Sequence, residues 1–118
     1  MVSCGPVIKF VSEETMPQTK VRVRYAPSPT GEPHVGNIRT ALFDWLFARH
    51  TGGDFIIRVE DTDQARRVDG AIELQKESLR WLKLDWDEGL EKHGEFGPYI
   101  QSERLEYYET AVSQLIES

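Results

Sequence analysis

Cysteine is almost missing from this chain of 118 residues: Cys4 is the only one. An internal disulfide is therefore impossible, a cysteine-rich zinc site is excluded, and a reducing, cytoplasmic home fits best. Long apolar runs are missing too. No stretch approaches the ~18 residues a membrane span needs. The opening "MVSCGPVIKFVSEET" lacks the basic start and long apolar core of a secretory signal. Positive charge is scarce, with 14 Lys and Arg against 20 Asp and Glu and a formal net charge of -6. That balance argues against a broad, non-specific nucleic-acid surface, though not against a local basic patch. The chain has no internal repeat, no low-complexity segment, and neither a GxGxxG nor a GxxxxGK[ST] phosphate loop.

What is present is enough for a core: 39% apolar residues and three tryptophans. The length suits one domain or one piece of a larger one. Met16 offers a second start, so residues 1–18 read as a flexible N-terminal extension and 19–118 as the first part of a domain, truncated at its C-terminus.

"KVRVRY", residues 20 to 25, alternates as a strand with one buried face does. In "VGNIRTALFDWLFARHTGG", Ile38, Ala41, Leu42, Trp45 and Leu46 recur at helical spacing, and Gly52 and Gly53 are placed to end the helix. "DFIIRVE", residues 54 to 60, reads as a second strand buried on both sides. These make a βαβ unit with a right-handed crossover. Beyond a polar loop, "VDGAIELQKESLRWLKL" predicts a second helix with Ile72, Leu79 and Leu82 inward. "DWDEGLEKHGEFGPY" is irregular. A third helix is expected from an N-cap at Ser102, with an apolar stripe of Leu105, Tyr108, Val112 and Leu115, and it runs to Ser118 without a stop signal. Trp45, Phe47, Trp81 and Trp86 read as packing residues, and His50 and His93 as solvated.

Between the first strand and helix lies "RYAPSPTGEPHVGN", residues 24 to 37. Such a loop leaves the carboxyl end of a strand, where ligands of open α/β sheets bind, and it enters a helix whose first amides and dipole favour an anion. Gly36 gives a ligand access to the backbone, His34 adds a donor, and Pro27, Pro29 and Pro33 limit the loop's freedom. By itself, His-x-Gly reads more readily as a rigid connection with a capping histidine.

The residue string resembles the opening signature of glutamyl-tRNA synthetases, a class I aminoacyl-tRNA synthetase family, with "HVGN" standing where class I enzymes carry HIGH and Asn37 in place of the second histidine. "IIRVEDTDQAR", residues 56 to 66, resembles the family's RIEDTD segment, with Val59 for isoleucine, and "GPYIQSERLEYY", residues 97 to 108, its GPY-x-QS-x-R segment. The resemblance covers residues 19 to 118. It implies an α/β fold: a Rossmann-like parallel sheet with flanking helices, the N-terminal portion of a class I synthetase catalytic domain. It also implies a two-step reaction, in which glutamate and ATP, with Mg2+, give glutamyl-adenylate and pyrophosphate, and the glutamyl group passes to the 3′ end of tRNA(Glu).

The same resemblance assigns expected roles. His34 and Gly36 are the catalytic positions and, with Asn37, the ATP contacts, His34 as a donor to phosphate oxygens. Arg24 meets a glutamate carboxylate, Ala26 and Ser28 line the amino-acid pocket, and Glu60 receives the ammonium group. Thr62 and Asp63 fall where the family approaches the tRNA 3′ end. No protein-held metal is expected: Asp61 and Asp63 invite a magnesium reading, but a loop-shaping role is preferred for Asp61. The expected partners are glutamate, ATP and tRNA(Glu), for a cytoplasmic protein that meets no membrane and is a monomer.

Three neighbouring readings stand beside this one. A glutaminyl enzyme would carry a different loop in place of "APSPTG". Truncated paralogues that glutamylate a modified tRNA base tend to carry an apolar residue where Thr62 stands. A non-catalytic binding module or inactive fragment is the third, because the lysine-rich KMSKS loop does not occur here.

Overall fold

In the computed structural model, residues 19–118 are described, so the expectations for the prefix 1–18 lie outside the described residues. Three strands, β1 (Arg22–Tyr25), β2 (Asp54–Ile57) and β3 (Glu88–Gly89), form one parallel sheet in the order β1-β2-β3. Helix α1 (Val35–Thr51) links β1 to β2, α2 (Ala71–Trp81) precedes β3, and α3 (Leu105–Glu117) follows. Arg24 is in register with Ile56, and Tyr25 with Ile57.

The sheet's inner face carries Tyr25, Phe55 and Ile57, packed with Ala41 and Ala48 of α1, Leu79 of α2, and Leu84 and Trp86. Ala41 and Ala48 have no exposed surface. These small side chains let α1 lie close on the sheet, flanked by Ile38 and Trp45. The expected inward stripe is therefore corrected: Leu42 and Leu46 are exposed, because the buried face is centred on the two alanines. The helix ends as its sequence predicts, at Gly52 in the left-handed region with φ 66°.

β2 is shorter than expected, and alternation replaces burial on both sides: Phe55 and Ile57 are buried while Ile56 is half-buried. The extended run goes on as a single bridge, Val59 to Ile100. β3 went unseen in the sequence. Its Gly89 has φ 130°, and a Cβ there would lie 2.2 Å from the Ile57 carbonyl oxygen, so the close approach to β2 requires glycine.

α2 turns Ala71, Gln75, Lys76 and Leu79 inward, while Leu82 is exposed. Of the aromatic set, Trp86 is buried and Trp45 half-buried, but Trp81 and Phe47 are exposed and do not pack. Ser102 does not cap the third helix. It sits in a 3-10 turn, Gln101–Arg104, and α3 starts after it with no side-chain cap. The α3 stripe of Leu105, Tyr108, Val112 and Leu115 is exposed throughout.

Candidate functional site

The opening loop is held from two sides. Pro27 and Pro29 are buried, and their carbonyls accept the Glu60 amide at 3.0 Å and the Val68 amide at 2.9 Å. The prolines thus do more than stiffen the loop: two of them line a small apolar cavity with Ile57, Val59 and Leu79. The Pro27–Glu60 bond ties the loop to the strand exit.

That tie brings together the first pair the sequence singled out. Arg24 Nη1 donates to Glu60 Oε1, and Arg58 Nη2 lies 3.6 Å from the same oxygen. The Arg24 and Glu60 side chains are 40% and 35% exposed, so the pair is worth only about 0–1 kcal/mol. A ligand that offers both charges can replace it at little cost. Asp44 of α1 lies close by: burial raises its carboxyl pKa, and the charge of Arg24 opposes the rise. Ala26 is half-buried and Ser28 exposed on the loop between these groups.

His34 is the N-cap of α1, with φ −120° and ψ 169°. Its Nδ1 accepts the Gly36 amide at 3.1 Å, and the Asn37 side-chain oxygen accepts the His34 amide at 3.4 Å, a reciprocal capping box. Two expectations change. The Gly36 amide is already satisfied inside the protein, and a Cβ at Gly36 would lie 3.0 Å from the His34 ring, so this glycine makes room for the capping ring. Because Nδ1 accepts, the proton of the neutral ring sits on Nε2, which remains a donor for a ligand. Capping and ligand roles fall on different nitrogens.

His34 also lines an open groove of about 610 Å³ with Val35, Ile38, Ser78, Trp81 and Leu82. Glu60 is not on its wall.

The acidic segment after β2 divides in two. Asp61 is 1% exposed. It accepts the Ser102 amide at 2.9 Å and the Ser102 hydroxyl at 2.7 Å. Burial pushes its carboxyl pKa up, but those bonds outweigh the burial and hold it below the ordinary value. Thr62 donates to Gln101 at 3.0 Å. Asp63 caps the 3-10 turn Gln64–Arg66 and pairs with Arg66, which is the chief reason its carboxyl pKa is lowered. Among the described residues no group of three or more His, Cys, Asp or Glu side chains is arranged to hold a metal ion.

Sequence reasoning missed Arg58, Asp44 and Ser102 as neighbours of the site. Arg58 was within reach, since it stands two residues before Glu60 on an extended segment and so shares its face. Nothing in the sequence pointed to Asp44 or to the Asp61–Ser102 contact.

A parallel βαβ unit with a capped loop and an ion pair at its carboxyl end defines a Rossmann-like α/β domain. Residues 20–118 match the family described as tRNA synthetases class I (E and Q), catalytic domain, and the chain belongs to that family. A glutamate–tRNA ligase of Dehalococcoides mccartyi is 66% identical over 97 residues, which cover 82% of this chain and 20% of the relative. One from Exiguobacterium sibiricum is 59% identical over 98 residues, covering 83% and 20%. The crystal structure of a glutamate tRNA ligase from Elizabethkingia meningosepticum in complex with its amino acid superposes with a TM-score of 0.82 at 50% identity, covering 85% of this chain and 20% of that one. The chain thus spans about a fifth of the length of these relatives.

Proposed function

We propose that this chain is the first part of the catalytic domain of a glutamate–tRNA ligase. The observation that carries the reading is the half-exposed Arg24–Glu60 pair at the carboxyl end of the sheet. Glutamate brings the two charges that replace it: its ammonium group goes to Glu60 and a carboxylate to Arg24, whose planar fork matches a carboxylate. Ala26 and Ser28 border the bound amino acid.

In the first step the substrate carboxylate attacks the α-phosphorus of ATP. The bond to the bridging oxygen breaks and pyrophosphate leaves. His34 Nε2 donates to phosphate oxygens as charge builds there, an electrostatic contribution and not a proton transfer. Gly36 and Asn37 serve ATP indirectly, by fixing the His34 ring and the helix start. Mg2+ enters with the ATP phosphates. In the second step a hydroxyl of the terminal adenosine of tRNA(Glu) attacks the activated carbonyl and AMP leaves, with Thr62 and Asp63 beside the incoming 3′ end. No helix among the described residues is long and apolar enough to cross a membrane; our reading is of a cytoplasmic monomer.

Glutamate-dependent exchange of labelled pyrophosphate into ATP tests the reading. It is run on this chain alone and on a full-length curated relative in which residues 20–118 replace the matching segment. Exchange in the graft, with little or none in the isolated chain, is the expected result. A silent graft beside an active parent relative would overturn the assignment, and transfer to an internal tRNA base instead of the 3′ end would favour the modifying paralogues.

A further inference from the structure

Glu60 receives two guanidinium groups on one oxygen. Arg24 Nη1 and Arg58 Nη2 both address Oε1, and among the described residues no hydrogen bond is made to Oε2. The two arginines are held differently. Arg24 springs from β1, which pairs with β2. Arg58 springs from backbone fixed on both sides: its amide donates to the Tyr25 carbonyl at 3.1 Å, and its neighbour Val59 bonds to Tyr99 and Gln101, each at 2.9 Å. The Arg58 side chain is the less exposed, and its Nε is buried without an acceptor. A buried donor left unsatisfied is costly and calls for a compensating role.

We propose that Arg58 is a positioning residue for the ammonium site. It keeps hold of Glu60 through Oε1 when Arg24 leaves for the substrate carboxylate, and so keeps Oε2 turned to the ammonium group. One arginine moves and the other stays. This rests on the glutamate-activating reading and adds which cation is exchanged.

The test uses pyrophosphate exchange in the full-length graft, with glutarate as a competitive probe that has both carboxylates of glutamate but no ammonium group. Arg58→Gln raises the KM for glutamate roughly tenfold, in the range that loss of an outer supporting contact produces. It leaves the KM for ATP and the inhibition by glutarate within about twofold, and Arg58→Lys recovers part of the loss. If glutarate weakens as much as glutamate, Arg58 binds a carboxylate directly and the proposal is overturned. Parallel loss of ATP affinity, or an unchanged KM for glutamate, overturns it as well. Absence of exchange in the unsubstituted graft would instead bring down the parent reading, a distinguishable result.

Discussion

Glu60 and Asp61 are adjacent in sequence, acidic, and at the exit of the same strand, yet they inhabit opposite regimes. Glu60 is about a third exposed and faces two arginine side chains, Arg24 on β1 and Arg58. Asp61 is sealed from solvent and fixed by the amide and hydroxyl of Ser102, 41 residues away. Strand alternation produces the split, turning one carboxylate toward the two arginines and the next into the junction with the Gln101–Arg104 turn. A site needs both: one acid whose partner can be exchanged, and one whose partner cannot.

The sharpest way to break this contrast is to remove each acid in turn. Asp61→Ala leaves the Ser102 amide unpaired at a buried junction and should cost about 3 kcal/mol, read as a fall in the urea midpoint. Glu60→Ala should cost no more than about 1 kcal/mol while abolishing measurable glutamate saturation. Equal losses of stability would erase the distinction.

Arg24→Ala comes next. Losing one charged hydrogen-bonding partner of the substrate should raise the KM for glutamate roughly 10- to 100-fold with the KM for ATP unchanged and stability altered by at most about 0.5 kcal/mol. Equal losses for both substrates would contradict its role.

Acid titration sharpens the same contrast. The folded pKa of Asp61 is depressed, so its contribution is present above the unfolded value of about 4 and is lost as pH falls through the folded value. Denaturation midpoints below pH 4 should therefore drop less steeply in Asp61→Asn than in the parent. The smallest effect is expected at Asp44, whose pKa is raised chiefly by burial. A raised acid is least favourable when ionised, so Asp44→Asn should stabilise the fold slightly at neutral pH, by no more than about 0.5 kcal/mol, read from the thermal midpoint. A fall in the midpoint would show a stabilising partner for its carboxylate.

Much of this was legible where the signal is local. Gly52 ends α1 because it takes a left-handed conformation open to glycine, and His-x-Gly-Asn at a strand-to-helix junction carries its own capping box. The roles of Arg24 and Glu60 came from family resemblance, whereas their pairing with each other, beside the bond that ties Glu60 to Pro27, was not foreseen. Long-range facts were not legible. Ser102 looks like an N-cap in the sequence, but its hydroxyl is taken by Asp61, a contact made by folding and not by neighbours. The α1 stripe was misjudged because leucines dominate a hydrophobic count, while the close approach to the sheet selects the alanines, and Gly89 gave no strand signal because β3 is only two residues long.

The most direct measurement is a structure of the chain, in its full-length graft, with glutamate bound. The account predicts the ammonium group within hydrogen-bond distance of Glu60 and Arg24 turned from Glu60 onto a substrate carboxylate. Glutamate bound elsewhere, with the Arg24–Glu60 pair intact, would contradict it.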